Sequence, residues 1–177
     1  MTEPVPLPIW PAMFVVAGPN GCGKSTLTRT TRFAGSEVID PDAIASRLSP
    51  GAPERATRSA GREAVRLRRA LIRAGRTFVV ESTVAGHGTL RLMEAAREAG
   101  CRVELHYVAV GTPEQALDRI RNRVALGGHD VPEPDVRRRF DRSLAHLPAA
   151  IARSARGGIG TSVPFEYKGS ATRAERR

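Results

Sequence analysis

Apolar residues fall along this chain in two alternating patterns, short unbroken runs and longer stretches with helical spacing. Met13-Phe14-Val15-Val16-Ala17, Val38-Ile39, Thr77-Phe78-Val79-Val80 and Val103 to Val110 are of the first kind, and they read as strands buried on both faces. Pro41 closes the second strand, and Asp42 is placed to cap a helix starting at Ala43. From Glu54 to Ala74 the apolar positions Ala60, Ala64, Leu67, Leu71 and Ala74 recur at steps of three or four, and Gly75 follows as a C-cap. Leu90 to Ala99 stands before Gly100 in the same way. Pro113 opens a helix at its first turn that runs to about Ala125 and breaks at Gly127-Gly128-His129. A further helix, about Asp135 to His146, follows Pro132 and Pro134.

Alternating strands and helices with short connections predict an α/β fold, a three-layer sandwich with a mostly parallel sheet of about five strands flanked by helices. The fifth strand is a weak candidate at Val163 to Tyr167. Residues 1–11 hold four prolines and read as an extended lead-in; 12–156 form the folded domain; 157–177 lose all periodicity and read as a diverged or disordered tail. The length of 177 residues suits one domain.

Composition narrows the class. With 41% hydrophobic and 26% charged residues the chain can bury a core. No run is long enough to span a membrane, the N-terminus lacks a signal-peptide pattern, and Cys22 and Cys101 are too few for a disulfide framework. A cytoplasmic protein without membrane association is expected. The net charge of +10 points to anionic partners. Of 28 basic residues only Lys24 and Lys168 are lysine, so a lysine kept where arginine is the rule is informative.

Lys24 stands in Gly18-Pro19-Asn20-Gly21-Cys22-Gly23-Lys24-Ser25, which matches G-x-x-x-x-G-K-[ST] between a predicted strand and a predicted helix. Glycines let successive backbone N–H groups converge on phosphate oxygens, and the following helix N-terminus adds a favourable field. Lys24 would reach the β- and γ-phosphates of ATP, and Ser25 would hold Mg²⁺. The sandwich is therefore expected to be P-loop NTPase-like. Cys22 reads as a small filler within the loop.

Ligands of open α/β sheets sit beyond the carboxyl ends of the strands, which gathers Asp40, Asp42 and Glu81 near the loop. One carboxylate can take a proton from an attacking hydroxyl, and another can support Mg²⁺ through water. Arg119 and Arg123 share a helix face, and His129, Arg137, Arg138, Arg139 and Arg142 follow across the glycine break; such cations suit the charge of a γ-phosphoryl group. A second run, Arg55, Arg58, Arg62, Arg66, Arg69, Arg73 and Arg76, reads as a solvated face. It carries no aromatic residue for base stacking, which argues against a nucleic-acid partner.

The segments GPNGCGKST, VIDPDAIA, FVVEST and YVAVGTPEQALDRIRNRVALGGHDVPEPDVRRRFDRSL together resemble the zeta toxin family of P-loop kinases, from about Met13 to Leu147. The resemblance implies phosphorylation of a hydroxyl of UDP-N-acetylglucosamine and a small helical antitoxin as partner. It implies ATP bound by the loop from Gly18 through Thr26, Asp42 as general base, and Asp40, Glu81 and Thr83 near the substrate. Arg123 aligns with the first of two phosphate-contacting arginines. The second falls at or near His129, where this chain departs from the family, and one of Arg137 to Arg139 is the replacement candidate. The segment between Asp42 and Glu81 also departs, which keeps a kinase for another metabolite or antibiotic as an alternative; residues after Ala155 depart from the family too, which keeps an inactive ATP-binding regulatory module as a second.

Overall fold

In the computed structural model, which describes residues 10–30, 33, 35–128 and 130–154, four strands pair in parallel. They are β1 (Ala12–Ala17), β2 (Glu37–Ile39), β3 (Phe78–Ser82) and β4 (Arg102–Tyr107), in the order β2-β3-β1-β4. β1 aligns Met13 with Phe78 on one side and with Val103 on the other. The helices are α1 (Lys24–Thr28), α2 (Pro41–Leu48), α3 (Thr57–Arg73), α4 (His87–Glu98), α5 (Pro113–Ala125) and α6 (Glu133–Arg153), with a 3-10 turn at Pro53–Ala56 leading into α3. The expected α/β class holds, with four strands among the described residues; the fifth candidate, Val163 to Tyr167, lies outside them.

Strand alternation divides the core into two layers. Met13, Val15, Ala17, Phe78, Val80, Val103 and Leu105 pack with residues of α2, α3, α4 and α6, including Ala60, Ala64, Leu71 and Met93. Phe14, Val16 and Val79 point the other way, onto Leu27 of α1 and Phe33. A large apolar side chain fully buried in this way contributes roughly 1.5–3 kcal/mol. No helix among the described residues is long and apolar enough to cross a membrane.

Several boundaries differ from the sequence reading, each for a local reason. The cap of α2 is Asp40, whose side chain accepts from the Asp42 N–H at 3.0 Å. Pro41 takes the first helical position, where its missing N–H costs nothing, and this moves the cap back from Asp42 to Asp40. Glu81 lies inside β3 rather than at its end. β4 stops at Tyr107 although the apolar run continues to Val110, because its partner β1 ends at Ala17 and turns away. α4 begins at His87, three residues before Leu90, behind Gly86. α6 passes the expected end at His146 and Pro148 to reach Arg153. Val136, Phe140, Ser143 and Ala150 are buried along it, and Tyr107 and Ser143 share a hydrogen bond of 2.8 Å. Packing of this face offsets the hydrogen bond that Pro148 removes.

Candidate functional site

The order β2-β3-β1 sets the carboxyl ends of three strands side by side, so the segments after them share one edge of the sheet. The loop after β1 is folded tightly against the start of α5. Gly21 has φ 74°, and a Cβ there would meet the Ala116 carbonyl oxygen at 2.6 Å; Gly18 has φ 141°, and a Cβ would meet the Val108 carbonyl oxygen at 2.1 Å. Glycine is needed at both for its conformation and for the close approach. The N–H of Gly18 donates to the Ser82 carbonyl at 3.2 Å, tying the loop to β3.

Lys24 opens α1 behind Gly23, and its Nζ donates to the carbonyls of Gly18 at 3.0 Å and Pro19 at 2.7 Å. Nζ also lies 3.8 Å from Cys22 Sγ, so its three ammonium donors all find partners in the loop itself. Cys22 is buried, and burial pushes its thiol pKa up against the opposing effect of Lys24, which suits a filler more than a nucleophile. Ser25 Oγ donates to Glu81 Oε2 at 2.8 Å, and Thr28 Oγ1 donates to Glu81 Oε1. Glu81 therefore satisfies its buried charge through two hydroxyls of α1.

Asp40 lies beside this cluster with its pKa raised to about 6, first by burial and next by the Glu81 charge. Arg68 of α3 packs nearby; burial lowers its pKa, and Asp40 opposes that effect. Its Nη2 donates to the Ile39 carbonyl at 3.4 Å, while its buried Nε has no partner among the described residues. A raised acid pKa means that the folded chain keeps a proton the unfolded chain has released, so this group's contribution to stability falls as pH rises from 3.8 to about 6. Asp40→Asn keeps a good helix cap and cannot ionise. Its stability relative to wild type is expected to climb across that window and level off above it, as measured by urea unfolding at closely spaced pH; a pH-independent difference would remove the electrostatic account.

Lys24, Ser25, Asp40 and Glu81 line a single cavity of about 720 Å³, together with Asn20, Thr26, Asp42, Thr83 and arginines from three helices and a loop. Its basic residues are Lys24, Arg29, Arg68, Arg119, Arg123 and Arg139, against the acids Asp40, Asp42 and Glu81. That excess of positive charge suits a polyphosphate. Arg119 Nη1 also approaches the Cys22 carbonyl at 3.5 Å, which fixes α5 over the loop. Hydroxyl and carboxylate oxygens of Ser25 and Glu81 are the hard donors Mg²⁺ takes, and Mg²⁺ draws much of its coordination from phosphate and water. The residues present fit that ion.

A family model described as an AAA domain matches residues 13–148. The chain belongs to that AAA domain family. An uncharacterized protein of Haemophilus influenzae is 39% identical over 123 residues, which is 70% of this chain and 88% of the relative. Among solved structures, a chain of the AvrRxo1-ORF1:ORF2 complex with ATP superposes with TM-score 0.67 at 21% identity, over 81% of this chain and 50% of that one. A chain of the PezAT chromosomal toxin-antitoxin system of Streptococcus pneumoniae gives TM-score 0.60 at 19% identity, over 83% of this chain and 66% of that one. This chain therefore spans about half the length of the AvrRxo1 chain it matches. At such identities the likeness is one of fold, an α/β sandwich with a parallel sheet flanked by helices.

Of the residues singled out in the sequence, Asn20, Gly21, Gly23, Lys24, Ser25, Thr26, Asp40, Asp42, Glu81, Thr83 and Arg123 line the cavity. His129 lies outside the described residues. Among the candidates to replace it, Arg137 pairs with Glu114 and Glu133 and Arg138 with Asp135; Arg139 also lies 3.7 Å from Asp135, and it alone of the three lines the cavity. Arg29 and Arg68 were not legible as site residues, Arg68 because it lies beside the apolar face of α3 and off the regular arginine run. The regular arginine run is exposed at all seven positions, as expected of a solvated face; Arg66 pairs there with Glu63, and Arg69 and Arg73 also border a second cavity of about 670 Å³ between α3 and α4. Arg68, Ser82 and Thr83 line both cavities.

Proposed function

We propose that this chain is an ATP-dependent small-molecule kinase of the zeta toxin type, which transfers the γ-phosphoryl group to a substrate hydroxyl in the cytoplasm. The observation that carries the reading is the one cavity that collects the glycine loop with Lys24 and Ser25, the carboxylates Asp40, Asp42 and Glu81, and the arginines 119, 123 and 139. A phosphate-binding loop serves hydrolysis and transfer alike. The second cavity, continuing past Thr83 and bordered by Arg69, Arg73 and Arg91, offers room and charge for an anionic acceptor such as a UDP-N-acetylsugar.

In this reading the loop N–H groups and Lys24 hold the phosphates, and Arg119, Arg123 and Arg139 neutralise charge on the transferred group. Mg²⁺, when bound at Ser25 with Glu81 behind it, supplies further charge neutralisation. Asp42 sits in the first turn of α2, exposed to the cavity, and takes the proton of the attacking hydroxyl. Asp40 is engaged at the helix N-terminus and desolvated, which suits it less to that role. Catalysis then rests on positioning and charge neutralisation. The fold likeness to PezAT and AvrRxo1-ORF1:ORF2 supports an antitoxin-type protein as partner.

The test is phosphorus NMR of the purified chain with Mg·ATP, with and without UDP-N-acetylglucosamine. A new sugar-phosphate resonance alongside ADP is the expected result. ADP alone would mean another acceptor or hydrolysis, and silence in both spectra would favour a nucleotide-binding regulatory module.

A further inference from the structure

Val84 is the one non-glycine residue among the described residues with positive φ, at 53°. It is β-branched and fully buried, in a backbone region such residues avoid. Such a conformation persists only where its surroundings over-determine it, and here three contacts do so. The Val84 N–H donates to Ser82 Oγ at 3.0 Å, and Ser82 Oγ in turn shares a hydrogen bond of 2.7 Å with Thr89 Oγ1 of α4. From the opposite side, His146 of α6 lies with Nδ1 2.7 Å from the Val84 carbonyl oxygen. A carbonyl only accepts, so Nδ1 carries the hydrogen, which fixes the tautomer. The His87 ring, 4.8 Å from that of His146, packs beside it.

The turn held in this way is continuous with the site. Ser82 and Thr83 line both cavities, the Ser82 carbonyl receives the Gly18 N–H, and Glu81 accepts from Ser25 and Thr28. His146 lines neither cavity. We infer that His146 is a positioning residue, which pins the Val84 turn through its carbonyl and thereby sets Thr83 for the acceptor side of the reaction. The inference rests on the kinase reading for its catalytic consequence, and on the geometry alone for its structural one.

The experiment compares wild type, His146→Ala and His146→Asn, whose side-chain amide nitrogen replaces Nδ1. Amide hydrogen exchange of residues 82–86 is expected to speed by about tenfold or more in His146→Ala and to return towards wild type in His146→Asn, because a pinned turn opens less often. In phosphoryl transfer, His146→Ala should lower kcat/KM for the acceptor by about 10- to 100-fold, with the KM for ATP held within about threefold, since small misplacements act on the reacting geometry. His146→Asn should restore most of it. Unchanged exchange in His146→Ala, or equal losses in the two variants, would overturn the inference. A wild type that transfers to no acceptor, yet shows the exchange response and its rescue, would defeat the kinase reading and leave the positioning contact standing.

Discussion

Asp42→Asn is expected to slow phosphoryl transfer by about 10²- to 10⁴-fold while ATP affinity stays within about twofold, the pattern of a lost general base. The substitution keeps the size and polarity of a side chain exposed to the cavity in the first turn of α2, so the fold has no reason to respond. Asp40→Asn is the informative control. Asp40 holds the helix N-terminus through the Asp42 N–H and has its pKa raised to about 6, so its carboxylate is committed and desolvated. Near neutral pH the asparagine keeps the cap and loses only charge, and transfer should fall far less than in Asp42→Asn. Single-turnover kinetics with Mg·ATP and a hydroxyl acceptor, beside calorimetric ATP binding, separates the cases. If Asp40→Asn proved the more damaging, the base would be Asp40; equal loss of binding and transfer in Asp42→Asn would mean that Asp42 holds nucleotide instead.

The move of the helix cap from Asp42 to Asp40 shows what a linear sequence conveys. Strands and helices were legible because each buries a face with its own period: Met13 to Ala17 as an unbroken run, and Ala60, Ala64 and Leu71 at helical steps. The loop from Gly18 to Ser25 was legible because its geometry needs glycines at fixed spacing, and Gly18 and Gly21 indeed leave no room for a Cβ. Boundaries set by a partner element were less so. Nothing local to Val108, Ala109 and Val110 says that β1 has already turned away at Ala17, and nothing near Pro148 says that Ala150 docks on the core. Contacts from distant elements were least legible: Arg68 enters the cavity from α3, and His146 reaches the Val84 carbonyl across 62 positions of sequence.

The sheet order explains why so small a chain can gather so many groups. Because β3 lies between β1 and β2, Glu81 faces the glycine loop on one side and Asp40 on the other, and each neighbour changes its environment. Ser25 and Thr28 donate to Glu81, and burial first and the neighbouring Glu81 next raise the Asp40 pKa. The site is thus built from mutually constrained charges, and substitutions at Glu81 should spread to α1 and α2 together, unlike those at Asp42.

Lys24→Arg is expected to be as inactive as Lys24→Ala, with phosphoryl transfer reduced by about 10²- to 10³-fold in both, the cost of losing one preorganised charge donor. The expectation opposes the composition of the chain, in which 26 of 28 basic residues are arginine. The geometry gives the reason. Lys24 Nζ sits within hydrogen-bonding reach of the Gly18 and Pro19 carbonyls and 3.8 Å from Cys22 Sγ, inside a loop whose Gly18 and Gly21 already touch the backbone of the β4–α5 segment. A compact ammonium fits between such carbonyls, whereas a planar guanidinium is wider and presents its donors in a fixed fork. To admit arginine the loop would have to open, and its packing against Val108 and Ala116 opposes that. Since α5 holds its place partly through Arg119 on the Cys22 carbonyl, opening would displace the arginines above the phosphates as well. Nucleotide affinity should therefore fall in both variants, with Lys24→Arg also less stable than Lys24→Ala to thermal unfolding. An active Lys24→Arg enzyme would show that charge alone suffices at this position and that the fit of the ammonium to the loop is incidental.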